Sequence, residues 1–295
     1  MKTKLLAIFI LFVFVIACES KSNLNGWYFS TIHLNQIWEM NKGKGNSQTI
    51  AIIDTGISKQ ADRIYKNRIV SRYNAMNGTN DVTDEHGHGS QMISIACGDG
   101  KGGVQGIAPK AKIIVIKAIG ATGNVKSASI VNALRFAISK KADIINMSFG
   151  SYIPSVEIEQ LISVATEKGI SVVASAGDYR NKDILFPASL KNVISVAAKD
   201  KKGNIWDRSN ISKEVVIAFP GVGIQSFDLI DKPKTITTSD GTSQATAIAS
   251  GFLALLRDYY VDNNIHFNNA IILKKMRQIN AVNSKHPNYL LPFTN

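Results

Sequence analysis

Thr49-Ile50-Ala51-Ile52-Ile53-Asp54-Thr55-Gly56 reads as a strand buried on both faces, ending in a carboxylate and a turn glycine. An unbroken apolar run, as opposed to an alternating one, is what a central strand of a parallel sheet requires, because helices cover it on either side. Similar runs recur at 112–117, 144–147, 170–174 and 193–198, and helical stretches stand between them at 127–140 and 155–168. In the first helical stretch Ile130, Ala133, Leu134, Ala137 and Ile138 form one apolar stripe. This alternation predicts an α/β fold: a doubly wound, mainly parallel sheet with helices on both faces. Open sheets of this kind place their sites at the carboxyl ends of strands, where Asp54 falls.

Two further stretches carry chemistry. Asp84-Glu85-His86-Gly87-His88-Gly89-Ser90 sets a histidine between glycines before a short helical run. Asp240-Gly241-Thr242-Ser243-Gln244-Ala245-Thr246-Ala247 turns an extended segment into an apolar, Ala-rich helix. Ser243 then lands in the first turn, beside unpaired backbone N–H groups that could face the oxygen of a carbonyl under attack. Ser, Thr and Asp are also favoured at ordinary helix starts, so this stretch alone decides nothing. Together the three stretches supply a nucleophile, a base and an orienting anion, in the chain order Asp54, His88, Ser243.

On these residues the chain resembles the subtilisin-like serine proteases. The resemblance covers residues 27–260 and includes the Asp54, His88 and Ser243 signatures in order, with Gly106-Ile107-Ala108-Pro109 and Ala174-Ser175-Ala176-Gly177 between them. It implies that Asp54 orients, His88 acts as general base and Ser243 attacks. It also implies that Ser148-Phe149-Gly150 pairs with substrate backbone. The walls of the specificity pocket would come from residues 148–151 and from Leu185-Phe186-Pro187, with Asp183 nearby as a candidate selector of basic residues.

Three positions depart from the family pattern. Asp178 stands where relatives usually carry an asparagine whose amide donates to the oxyanion, and an ionised carboxylate cannot donate. Two escapes are open: a carboxyl group that keeps its proton, or another donor such as Asn181. A prohormone convertase relative also carries aspartate here and remains an enzyme. Ala247 replaces a usual proline, and Gln91 a common histidine. The loop Gly98-Asp99-Gly100-Lys101-Gly102-Gly103 falls where many relatives bind calcium, but one carboxylate and a lysine make a poor site for that ion. No cofactor is expected to be required. His86, next but one to His88, lacks further metal ligands nearby, and neither His266 nor His286 has metal-like spacing to another ligand.

The chain has 295 residues and a formal net charge of +12, enough for one large domain that buries about three quarters of its unfolded surface. Lys2 and Lys4 precede an unbroken apolar run that ends in Val15-Ile16-Ala17-Cys18. Residues 1–17 therefore read as a signal peptide with a lipobox-like end, which implies lipidation at Cys18 and a place on the outer face of the cell membrane, with plain secretion as the alternative. Residues 18–25 form a polar tether and 26–295 the peptidase domain, with no room for a propeptide domain. Cys97 is then a small core residue with no disulfide partner. The lysines and arginines are scattered without interleaved aromatics, which excludes nucleic acid as a partner and suits anionic surfaces or an acidic peptide. Small size, export and the missing propeptide resemble the leader peptidases that mature peptide antibiotics. The expected protein is a monomeric, lipid-anchored serine endopeptidase acting on peptides, including acidic leaders. The rivals are a general surface protease and a catalytically weak peptide-binding protein.

Overall fold

The computed structural model describes residues 26–227 and 236–285. The signal segment, Cys18, the tether and the C-terminal tail after residue 285 lie outside the described residues. Seven parallel strands make the sheet: β1 (Thr49–Asp54), β2 (Ile69–Asn74), β3 (Lys112–Lys117), β4 (Ile144–Met147), β5 (Ser171–Ser175), β6 (Ile194–Lys199) and β7 (Ile217–Pro220). Their spatial order is β2-β3-β1-β4-β5-β6-β7. From β1 the chain first builds one flank and then returns to build the other, so β1 and β4 border the switch point of the sheet, where α/β folds open a crevice. Ile50 pairs with Ile144 and Ile52 with Asn146. Continuing that register to the strand ends sets Asp54 level with Ser148.

Successive β1 side chains feed opposite cores. Ile50 and Ile52 join the core that holds Met92, Phe252 and Leu253, whereas Ala51 and Ile53 join the one that holds Ile130, Leu134 and Ile162. The second core lies under α5 (Ser127–Ser139) and α6 (Val156–Glu167). The first lies under α1 (Tyr28–Thr31), α2 (Leu34–Met40), α3 (Lys59–Tyr65), α4 (His88–Cys97), α7 (Thr242–Asp262) and α8 (Asn269–Lys285). The expected helices on both faces are present. Of these, α7 is the spine: Phe252, Leu253, Leu255 and Leu256 are each fully buried, and each contributes about 1.5–3 kcal/mol by leaving water. It crosses α4 at Gly251, where an added Cβ would lie 2.6 Å from Ile107 Cβ and 2.9 Å from the Ala96 carbonyl oxygen. The last helix, α8, lies at the surface, with Ile272 and Met276 inward and Lys274 and Arg277 exposed. A two-stranded antiparallel sheet, β8 (Ile224–Phe227) with β9 (Ile236–Ser239), docks on α4 through the Phe227 N–H and Ser94 Oγ (3.0 Å) and leads directly into α7. Among the described residues no helix is long and apolar enough to cross a membrane.

Candidate active site

Two glycines bring the end of β1 and the start of α4 into backbone contact. Gly56 has φ +113°, and a Cβ there would fall 2.2 Å from the Val82 carbonyl oxygen; a Cβ on Gly89 would fall 2.4 Å from the Gly56 carbonyl oxygen. Nothing larger than hydrogen fits at either position. The close approach lets Gly89 N–H donate to Thr55 Oγ1 (2.8 Å) and sets His88 against Asp54. His88 Nδ1 lies 2.8 Å from Asp54 Oδ1 and 3.0 Å from Oδ2, and the Thr55 N–H donates to Oδ1 at 2.7 Å. Asp54 is almost fully buried. Burial works against charge on the His88 ring, but the Asp54 carboxylate and its hydrogen bond prevail, with smaller help from Asp84 and Asp178, and hold the imidazole above its ordinary 6.5.

Asp84, which sequence reasoning did not single out, organises this corner. Gly87 offers α4 no side-chain cap, and Asp84 caps the helix from upstream. Its Oδ1 accepts from the N–H groups of His86 (3.0 Å) and Gly87 (2.7 Å), its Oδ2 from the N–H and hydroxyl of Ser90 (2.9 and 2.7 Å). Burial pushes this carboxyl group upward, yet the bonds from Gly87 and Ser90 outweigh it and hold the group below its ordinary range. Lys117, also unforeseen, is buried at the end of β3, and its Nζ bonds the carbonyls of Thr55 (3.1 Å) and Thr83 (2.7 Å) and Glu85 Oε2 (3.2 Å). It ties the turn after Asp54 to the segment before His88. The only sequence signals were an aspartate four residues before a histidine and a lysine ending an apolar run.

Ser243 occupies the first turn of α7, across the switch point. Its hydroxyl donates to the Ser148 carbonyl (2.6 Å), and the Ser148 hydroxyl donates to the Ser243 carbonyl (3.1 Å) while contacting Asn146 Oδ1 (3.0 Å). Asn146 in turn donates to Ser250 Oγ (2.9 Å), so β4 and α7 are laced together beneath the serine. Asp178 caps α7 from the loop after β5. Its Oδ1 accepts from Thr242 N–H (2.8 Å) and Thr242 Oγ1 (2.7 Å), and the negative charge suits a helix N-terminus. Asn181 is not positioned as a substitute donor, because its amide is directed to the Tyr152 hydroxyl (3.4 Å). Asp183 is exposed, and its backbone holds Asn181 and Asn210, so it does not stand at the base of a pocket. Phe149 and Gly150 line a cavity of about 310 Å3 with Ile130, Met147, Ile158 and Phe186.

The remaining candidates resolve as follows. His86 is exposed, its ring centroid 6.4 Å from that of His88, and among the described residues no three His, Cys, Asp or Glu side chains are grouped so that they could hold a metal ion. The loop after α4 does not fit calcium: the Asp99 carboxylate already faces Lys101 (3.4 Å) and Arg68 (3.9 Å). Cys97 is fully buried, which pushes its thiol up to about 12 and leaves it inert.

With this geometry in place, comparison with known proteins is decisive: the model of the subtilase family matches residues 45–285. The chain belongs to the subtilase family. This subtilase is 32% identical over 241 residues to the minor extracellular protease Epr of Bacillus subtilis (strain 168), covering 81% of its own length and 36% of that relative. It is 32% identical over 227 residues to the major intracellular serine protease of the same organism, covering 73% and 70% of the two chains. With subtilisin Savinase of Lederbergia lenta the figures are 32% over 214 residues, 72% and 77%. The subtilase thus spans about a third of the extracellular relative and most of the other two.

Proposed function

We propose that this subtilase is a serine endopeptidase exported to the outer face of the cell membrane. The observation that carries the chemistry is the two-oxygen contact of Asp54 with His88 Nδ1 at the end of β1, with Ser243 in the first turn of α7 and bonded to the Ser148 carbonyl beyond the end of the neighbouring β4. Asp54 keeps the proton on Nδ1, which leaves Nε2 as the acceptor. Ser243 leaves the Ser148 carbonyl, gives its proton to Nε2 and forms a bond to the substrate carbonyl carbon. The carbonyl oxygen becomes an oxyanion within reach of the first-turn N–H groups of α7. His88 returns the proton to the departing amine as the C–N bond breaks, leaving an acyl-enzyme. Water then gives a proton to Nε2 as its oxygen bonds to the acyl carbon, the bond from that carbon to Ser243 Oγ breaks, and His88 returns the proton to Ser243 as the acid product leaves. Asp178, committed as a cap to Thr242, brings no amide donor to that oxyanion.

Export and anchoring rest on the apolar run before Cys18, lipidated in this reading. A net charge of +12 supports acidic peptides, including the leaders of peptide antibiotics, as substrates. One experiment tests both parts. A fluorophosphonate probe is applied to cell fractions carrying wild type, Ser243→Ala or Cys18→Ala. The expected result is a labelled band in membranes for wild type, no label for Ser243→Ala, and label released to the medium for Cys18→Ala. Labelling that persists in Ser243→Ala refutes the nucleophile; tight membrane retention of Cys18→Ala refutes the lipid anchor.

A further inference from the structure

The space beside Ser243 where a substrate side chain would enter is already occupied by the protein. Two segments border it: 148–151, continuing β4, and 176–178, continuing β5, extensions of strands paired through Met147 and Ala174. Both begin at the candidate nucleophile, since the Ser148 carbonyl holds the Ser243 hydroxyl and Asp178 holds Thr242. A peptide bonded to Ser243 through its carbonyl, its backbone along 148–150, must direct the side chain next to that carbonyl between these walls.

Leu185 fills that slot. Its N–H donates to the Ala176 carbonyl (2.9 Å), and the next residue, Phe186, exchanges both backbone bonds with Ser151 (2.9 Å each), so the strip 185–186 is stitched to both walls. A Cβ on Gly150 would lie 2.6 Å from Leu185 Cβ and 3.1 Å from Cδ1. A Cβ on Gly177 would lie 2.8 Å from Leu185 Cγ and 2.9 Å from Cδ1. Both walls therefore lack side chains where Leu185 lies against them, and the leucine is 4% exposed. Asp183, the other candidate selector, stands outside in solvent.

We propose that Leu185 sets the specificity of this protein, restricting cleavage to bonds that follow glycine, alanine or serine. The inference rests on the endopeptidase reading above and names its substrate class. A larger aliphatic, aromatic or basic side chain must displace a buried leucine held at both ends, and overpacking of that kind costs on the order of ten- to a hundred-fold in rate.

The test is a set of peptides on one scaffold, varied only at the residue before the scissile bond through Gly, Ala, Ser, Leu, Phe and Lys. Purified wild type and Leu185→Ala are compared by kcat/KM. Wild type is expected to cleave after alanine at least ten-fold faster than after leucine, phenylalanine or lysine, and Leu185→Ala to narrow the gap for leucine and phenylalanine to under about three-fold. Should the variant not fold, competition on wild type decides: a peptide aldehyde ending in alanine must block fluorophosphonate labelling of Ser243 at a ten-fold lower concentration than one ending in phenylalanine. Ser243-dependent cleavage that ignores side-chain size, or equal blocking by the two aldehydes, overturns the slot alone. Cleavage that survives in Ser243→Ala overturns the endopeptidase assignment and the slot with it.

Discussion

In an Asp178→Asn variant the amide oxygen can keep both hydrogen bonds from Thr242 (2.8 and 2.7 Å), which leaves an NH2 group in place of the second carboxylate oxygen. That oxygen already sits beside the backbone of the α7 entry, 3.0 Å from where a Cβ on Gly241 would stand. The swap therefore installs a donor without moving the loop. A full oxyanion donor is worth about 2.7–4 kcal/mol, or 10²–10³ in kcat. The first-turn N–H of α7 already carries part of that load, so the expected gain is roughly ten- to a hundred-fold near neutral pH. Two side effects mark the mechanism. The helix loses a charge at its N-terminus, worth about 0.3–1 kcal/mol, which lowers Tm by roughly 1–3 °C. His88 also loses one of the charges that raise it, so the acid limb of kcat/KM moves to lower pH. The assay is kcat and KM against pH for both proteins on one peptide ester, with a thermal melt of each. A variant no faster than wild type at any pH would show that the oxyanion does not form beside Asp178, and the reasoning would fall even if the melt and the limb shifted as described.

Because Asp54 holds His88 above 6.5, the base loses its proton only at higher pH, and the acid limb of wild-type kcat/KM should centre above that value; Asp54→Asn should bring the limb down and cut kcat by about 10⁴. A limb that stays put in Asp54→Asn would assign it to another group. Asp84→Ala removes acceptors for four donors at the start of α4 and should cost about 2–4 kcal/mol, a fall in Tm of roughly 5–10 °C. Asp84 is held below its ordinary 3.8, so its contribution is fully present above that value and drains away as the pH falls toward the folded-state value. Melts from pH 7 down to 2 should therefore show wild type approaching the variant in acid, and parallel curves would contradict the capping role.

The strands that could be read from sequence are those buried on both faces. β3 and β4 fall on their expected bounds and β1, β5 and β6 within a residue or so, because helices above and below demand continuous apolar runs. The edge strands were illegible. β2 is buried only at its two ends and carries Arg72, which pairs with Asp62 on α3 (2.6 Å), and β7 is short and ends in Pro220, a residue that only an edge or a strand end tolerates. At the site the glycine-flanked histidine and the helix-start serine could be recognised because the turn chemistry is local. The duties of Asp84, Lys117, Ser148 and Asp178 could not, because each is defined by partners that the fold brings in. Asp178 illustrates this well: as a residue type it is a failed donor, and only the approach of Thr242, 64 positions later, makes it a helix cap.

The division of the site across the switch point also orders its assembly in time. A chain made from its N-terminus delivers Asp54, His88 and their glycine contact early, since all precede β3. These form an anion and a base with nothing to activate. Ser243 follows only when β6 and β7 are out, and it takes its place by inserting α7 into a core that already needs both flanks of the sheet. A half-emerged chain is therefore chemically silent, and the act that completes the hydrophobic spine is the same act that arms the serine.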